Sequence, residues 1–234
     1  MKNFLSNIAE KIWPEFGTLA EPDRYSLLRE LFGTLYGLPF VALALVWLIA
    51  ETDLNLLREQ WSVLLLILGL SLLAGRISFF QITVGRDGSY DYNGSSLEIV
   101  IVMSAMLIYG PTAVWVPFLG RLIYYGIDRP RSPSRYHQWN GIRNLVFNLG
   151  ASIVGLLLTL LIYQGLGGNF PLSELTLAAA WPAFLAILFW LPWDALFFLS
   201  LGLLITHFQL TSQLSQEDRK GFGKQMFNFF LVAN

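Results

Sequence analysis

The sequence predicts an all-α fold, a polytopic bundle of about six to eight transmembrane helices that includes short helical hairpins. Residues 31–50 are a run of 20 residues without a charge, about what a helix needs to cross a hydrocarbon core of roughly 30 Å. A helix on the surface of a soluble protein is apolar on one face only, whereas this run is apolar all round. Further apolar runs cover residues 61–74, 99–120, 145–163 and 175–208, and a last one begins at Met226.

The composition supports this class and excludes several kinds of function. Charged residues make up 13% of the chain, against about 25% in an ordinary soluble domain. The net charge of −1 argues against a nucleic-acid partner, which would bind a basic surplus. The absence of cysteine excludes disulfides, iron–sulfur clusters and thiolate zinc sites. With only His137 and His207 as imidazole ligands, haem and pigment binding are not expected either, so no cofactor and no metal is predicted.

Residues 1–30 are predicted to be an amphipathic, cytoplasmic segment ahead of a membrane domain that covers residues 31–234. No secretory signal is visible, because the segment carries charges of both signs and lacks a compact apolar core. Its apolar face can lie in the membrane interface or pack on a neighbouring subunit, and the sequence leaves both open. The residues of that face are Phe4, Leu5, Ile8, Ile12 and Trp13.

The Lys and Arg residues of the connecting segments predict the orientation. Cytoplasmic segments carry the excess of these residues. The segment before the first run and the 127–143 link hold four each, whereas 51–60 holds only Arg58 and 164–174 holds none. We therefore expect the N-terminus and 127–143 in the cytoplasm, with 51–60 and 164–174 outside, in the inner (plasma) membrane of a bacterium.

A helical hairpin is predicted at Gly110-Pro111. Residues 97–126 as one helix would extend about 45 Å, and Gly-Pro is a strong helix-breaking pair. A hairpin also keeps 75–96 on the cytoplasmic side with the N-terminus. Within 75–96, residues 77–84 have the pattern of a short strand or extended lip at the membrane surface, followed by a glycine-punctuated polar loop.

The 175–208 run is predicted to form a second hairpin, because Pro182 and Pro192 interrupt it and Leu191-Pro192-Trp193-Asp194 has the pattern of a turn. The basic residues at 219–224 then fall outside, against the orientation rule. The sequence stops within the run from Met226, which we interpret as a truncation inside the last helix. With both hairpins, completing this run gives about eight spans and returns the chain to the cytoplasm.

A polar stripe is the first candidate site. Asparagine side chains are costly when they face lipid, so a stripe at every fourth residue should face a ligand cavity or hydrogen-bond to other helices. Gly150 and Gly155 favour the second interpretation because they allow helices to approach closely. The stripe consists of Asn140, Asn144, Asn148 and Ser152.

Ionisable residues near the apolar runs give two further candidates. Asp194 is a candidate for an intramembrane ion pair with Arg121 or Arg143; alternatively, it caps a helix that follows a turn at Pro192. No nucleophile–base pair, phosphate loop or metal constellation is visible, so the chain is not expected to be an enzyme. The remaining basic cluster is expected to bind lipid head groups and fix the orientation; it consists of Arg129, Arg131 and Arg135.

Two segments resemble a known bacterial module. Residues 95–120 (SSLEIVIVMSAMLIYGPTAVWVPFLG) and 143–150 (RNLVFNLG) resemble the N-terminal multi-pass membrane sensor module of bacterial HD-type phosphohydrolase, diguanylate cyclase and histidine kinase proteins. The resemblance implies a sensory or anchoring role in signal transduction, with membrane lipids and protein partners or further copies of the chain around it. The Gly-Pro hairpin pattern also resembles the substrate-binding subunits of energy-coupling-factor vitamin transporters. An accessory structural subunit of a larger membrane complex is the third interpretation.

Overall fold

The computed structural model describes residues 2–84, 90–128, 135–172 and 176–208. The predicted helical bundle is confirmed, with a two-stranded sheet added to it. The elements are α1 (Lys2–Ile12), a 3₁₀ turn (Phe16–Thr18), α2 (Glu21–Glu51), α3 (Leu54–Ala74), β1 (Ser78–Val84), β2 (Tyr90–Ser96), α4 (Glu98–Tyr109), a 3₁₀ segment (Gly110–Val114), α5 (Trp115–Asp128), α6 (Arg135–Gly165) and α7 (Leu177–His207).

Four stretches of the described chain meet the length and apolar composition of a membrane span, although one of them, Glu98–Tyr124, is folded into the hairpin described below, so the protein is membrane-embedded. They are Asp23–Glu51, Leu54–Ala74, Glu98–Tyr124 and Gly141–Gly165, and two shorter apolar helices lie within α7. Their outward surfaces are apolar: on α3, for example, Leu66 and Leu73 are 63% and 67% exposed, as expected of side chains that contact lipid tails.

Helices α2 and α6 form the centre of the bundle and run parallel. A Cβ atom on Gly33 would lie 3.2 Å from Cδ of Arg143, and one on Gly150 would lie 3.0 Å from Cβ of Phe40. Gly33 and Gly37 form a G-x-x-x-G pair, the spacing that lets two membrane helices approach closely. The predicted role of Gly150 in close helix approach is thus confirmed.

Helix α7 packs antiparallel on α6 and continues through Pro182 and Pro192. The second predicted hairpin is therefore wrong. The indole Nε1 of Trp193 donates a hydrogen bond to the carbonyl oxygen of Ala151, 2.7 Å away, and its ring fills the space beside Gly155. This anchor holds the segment in helical conformation against α6. Membrane helices tolerate proline because neighbouring groups compensate for the lost backbone bond.

The chain reverses at Gly110–Val114, as the Gly-Pro pair predicts. At one end of α3, a carboxylate oxygen of Glu98 lies 3.4 Å from the position that a Cβ on Gly75 would take. At the other end, the backbone N–H of Asp53 donates to Oγ1 of Thr112 at 3.0 Å. Helix α5 then returns along α3 until the guanidinium of Arg76 lies 5.6 Å from the ring centre of Tyr124.

Short arms distinguish this hairpin. Helix α4 has 12 residues and extends about 18 Å, well short of the roughly 30 Å hydrocarbon core.

The strand predicted at 77–84 is confirmed as β1, which pairs antiparallel with β2 from Ser78↔Ser96 to Val84↔Tyr90.

The helices define two ends of the bundle, which we call the Glu30 end and the Thr112 end. At the Glu30 end the ring of Phe208, after α7, packs on that of Phe32 with centroids 5.8 Å apart. At the Thr112 end the N–H of Leu172 donates to the carbonyl of Leu107 at 3.0 Å. The segments predicted to share one side of the membrane therefore lie at one end. Because α7 is a single helix, the chain reaches residue 208 at the end that holds its N-terminus.

Helix α1 packs part of its apolar face on this chain's own α2. Leu5 and Ala9 are almost completely buried there, whereas Phe4 is 61% exposed. The buried residues form what we call the N-terminal cluster: Leu5, Ala9, Trp13, Phe16, Leu27, Leu28, Leu31 and Phe32.

Candidate functional site

A cleft of about 400 Å³ opens at the Glu30 end between α2, α6 and α7. We call it the Glu30 cleft. Its α2 and α6 walls carry the polar groups, whereas α7 contributes apolar side chains. The lining residues are Ser26, Arg29, Glu30, Gly33, Arg143, Asn144, Phe147, Phe198, Leu201 and Ile205.

An ion pair joins the two main walls of the cleft. Nη1 of Arg143 donates to Oε1 of Glu30 at 2.6 Å, and the Glu30 side chain is only 9% exposed against 32% for Arg143. The second oxygen of Glu30, Oε2, is buried and has no hydrogen-bond partner among the described residues. Because Glu30 is buried, removing Arg143 would leave its charge unpaired and destabilise the protein, and the pair links α2 to α6 at this end.

The asparagine next to Arg143 orients its guanidinium group. Oδ1 of Asn144 accepts from Nε at 3.2 Å and from Nη2 at 2.8 Å. Three donors of the Arg143 fork are thus directed towards Glu30 and Asn144. Because the guanidinium is planar and its donors have fixed geometry, these bonds define the plane in which it faces the cleft.

The predicted polar stripe is divided between two environments. Asn144 lines the cleft, and Nδ2 of Asn148 donates to the carbonyl of Asn144 at 2.6 Å, within α6. Ser152 is partly buried further along the helix. Asn140 belongs to α6, but its side chain lies outside the described residues. Both interpretations of the stripe therefore stay predictions.

Of the two arginines predicted as ion-pair partners of Asp194, Arg143 is bound to Glu30 instead. Asp194 directly follows Trp193, whose side chain bonds to Ala151 of α6. Ala151 is eight residues, or about 12 Å along the helix, from Arg143, so the backbone of Asp194 lies well away from Arg143. The side chain of Asp194 lies outside the described residues, and its pairing stays a prediction. The alternative that Asp194 caps a new helix is wrong, because α7 is already helical there. Nε of Arg121 is buried and has no partner among the described residues.

The structure describes no side-chain contacts for the arginines predicted to bind lipid head groups. Arg129 and Arg131 lie outside the described residues, and Arg135 begins α6 with a side chain that is also outside them. Their predicted contact with lipid head groups stays a prediction.

A second, acidic cleft of about 570 Å³ lies at the Thr112 end. It contains Glu51, Asp53 and Glu59 together with the tip of the α4–α5 hairpin. Asp53 already caps α3, because its Oδ1 accepts from the backbone N–H groups of Asn55 and Leu56. Within the described ranges, no group of three or more His, Asp or Glu residues is placed to hold a metal ion. Among the described residues, this cleft therefore contains no candidate metal site.

Sequence reasoning missed Glu30. The signal was present, because Glu30 directly precedes the charge-free run 31–50 just as Arg143 stands two residues before the run 145–163. Two opposite charges at the same depth of two helices are a candidate pair, provided that the helices are neighbours. The spacing of Gly33 and Gly37 indicated that α2 packs closely on another helix.

Comparison with known proteins leaves the site to be interpreted from its own geometry. No protein-family model matches this chain, and no curated protein or solved structure matches it.

Proposed function

We propose that the chain is a non-catalytic integral membrane module, the sensory or anchoring region of a bacterial signalling protein in the inner membrane, with a cytoplasmic N-terminus. The observation that carries the proposal is the position of α7. This helix forms one wall of the Glu30 cleft and leads directly to the N-terminal cluster at the same end of the bundle.

The same side chains of α7 serve both contacts. Leu201 and Ile205 line the cleft and also pack against the N-terminal cluster, where Leu204 and Phe208 join them. A bound molecule that displaces α7 at the cleft therefore also changes its contact with the N-terminal cluster. Helix shifts of about 1–2 Å at packed interfaces are a common form of switching movement.

The orientation in the proposal is supported by the distribution of basic residues. The Glu30 end gathers the segments with the excess of Lys and Arg, which is typical of the cytoplasmic side. A single α7 also removes the conflict at 219–224, since the chain leaves α7 at this end. With a single α7, an output domain would lie in the cytoplasm if the apolar run from Met226 does not cross the membrane, whereas a crossing by that run would place the domain outside and count against the sensor proposal.

Spin-label distances test the coupling. Cysteines at Asn7 on α1 and Thr206 on α7, both exposed, would carry the labels in lipid nanodiscs. Phe198→Ala alters the cleft wall and should shift the distance distribution by about 1–2 Å. Phe189→Ala is the matched control, because Phe189 on the same helix is 42% exposed, against 47% for Phe198, and is not part of the cleft.

The same experiment identifies the competing interpretation. If neither substitution changes the distance, the bundle is rigid and an accessory structural subunit becomes the better interpretation. Fixed stoichiometry with other chains during purification would support that alternative.

A further inference from the structure

The Glu30 cleft presents charges of both signs at one depth. Arg29 is exposed and its positive charge acts on the Glu30 carboxylate, whereas Arg143 is bound directly to Glu30 and Asn144. Oε2 of Glu30 is the opposite case, a buried oxygen without a donor in the described part of the chain. A buried acceptor left without a donor costs about 1–3 kcal/mol or more. A ligand that supplies the donor would remove this cost.

The cleft becomes apolar with depth. Arg29 and Glu30 directly precede the charge-free residues 31–50, so they lie where the apolar part of α2 begins. Phe147 is one helical turn further into the bundle than Arg143, about 6 Å along α6. Phe198 and Leu201 of α7 form the facing wall. A polar mouth above apolar walls at the membrane boundary has the profile of a lipid, with a charged head group and an apolar tail.

We propose that the Glu30 cleft binds one phospholipid with a phosphoethanolamine head group. The phosphate accepts hydrogen bonds from Arg29, and the ammonium group donates to Oε2 of Glu30. Arginine binds phosphate through well-directed charge-assisted hydrogen bonds. Because Oε2 has almost no exposed surface, the one-third exposed Arg143 side chain moves aside as the ammonium enters. This site does not depend on whether the chain signals.

Head groups with a single kind of charge fit the cleft less well. A purely anionic head group leaves Oε2 without a donor and adds a negative charge beside Glu30. A purely cationic ligand faces the guanidinium of Arg29. Phosphatidylcholine has both charges, but its trimethylammonium group has no N–H and cannot donate a hydrogen bond. The comparison between ethanolamine and choline therefore isolates the bond to Glu30.

Native mass spectrometry of the detergent-purified protein tests the proposal with lipids of identical acyl chains. Phosphatidylethanolamine should bind at one site about tenfold or more tightly than phosphatidylcholine, the effect of one hydrogen bond to a charged group. Equal binding of these two lipids would overturn the proposal, and so would tighter binding of phosphatidylglycerol. Soluble phosphoethanolamine without acyl chains should bind far more weakly; equal binding would mean that the ligand is a soluble phosphate compound and not a lipid.

Two variants assign the roles of the side chains. Glu30→Gln should reduce the affinity for phosphatidylethanolamine to that for phosphatidylcholine, and Arg29→Gln should weaken both lipids. Arg58→Gln is the control, because Arg58 is exposed on α3 near the Thr112 end and should change neither. If Glu30→Gln does not fold, the ethanolamine–choline ratio in the unmodified protein and the Arg29→Gln variant still decide. Unchanged binding in Arg29→Gln would overturn the proposed phosphate contact.

Discussion

Two apolar regions of about thirty residues contain proline and respond to it in opposite ways. The region from α4 to α5 reverses at Gly110-Pro111, whereas α7 continues through both of its prolines, Pro182 and Pro192. Gly110 has φ +61° and ψ −149°, a conformation that residues with a Cβ rarely adopt. Leu191, before Pro192, stays helical. From this difference we infer that the glycine, and not the proline, allows the reversal.

Partners at the tip distinguish the two regions further. Thr112 accepts a bond from the backbone of Asp53, and Leu107, just before the turn, accepts one from Leu172. Around Pro192, by contrast, Trp193 ties the helix to α6. A turn in a membrane protein needs partners for its freed backbone groups, and at the hairpin the carbonyl of Leu107 has one.

The largest expected effect concerns sidedness. Cysteines introduced at Asn169 and His207, both exposed, should react with a membrane-impermeant thiol reagent on opposite sides of the membrane. A continuous α7 predicts labelling of position 169 in intact cells, and of 207 only after permeabilisation. Labelling of both in intact cells would restore the two-hairpin interpretation of 175–208. Labelling of 207 alone would invert the proposed orientation.

The next effect concerns the reversal at Gly110. Gly110→Ala should lower the free energy of unfolding by about 1–3 kcal/mol, because the backbone conformation is strained for alanine and its Cβ would lie 3.3 Å from the ring of Phe170. Unfolding in mixed detergent micelles measures the loss. Gly69→Ala is the control, since nothing lies within 4 Å of that Cβ. Similar stability of the two variants would mean that the glycine is not what allows the turn.

The smallest effect is expected at Pro192. Pro192→Ala should not lower the free energy of unfolding, because a proline within a helix is itself unfavourable, and it should leave the labelling pattern unchanged. The helix already passes through this residue, and alanine only restores a backbone donor. A changed labelling pattern would show that Pro192 bends or ends α7 after all.

The parts of the fold that follow from chain length and charge were predictable. The apolar runs gave the helices, and the Lys and Arg asymmetry gave the relative sides of the connecting segments. The failure at Leu191–Asp194 has a physical reason. Proline and aspartate predict a turn in water, but the bond from Trp193 to Ala151 and the space beside Gly155 fix a helix there. That information depends on which helix faces which, and local sequence does not contain it.

The site was half predictable for the same reason. Arg143 and Asn144 stood out because they carry polar groups into an apolar helix, whereas Glu30 was one charge among several in the N-terminal segment. Their meeting depends on α2 and α6 being parallel neighbours. The Gly33 and Gly37 pair is the one local feature from which that contact could be inferred.

The contact between α2 and α6 also determines when the central helices can assemble during synthesis. Glu30 and Arg143 are 113 residues apart, so at roughly 5–20 residues per second the ribosome needs about 6–23 s to supply the second partner. During that interval the glycine face of α2 has no helix to pack on, and the Glu30 carboxylate has no guanidinium beside it. Helix α3 and the α4–α5 hairpin are inserted into the membrane before the contact between α2 and α6 can form. Assembly of the centre therefore waits for α6, and mutations in α2 should first be detected as prolonged residence at the insertion machinery.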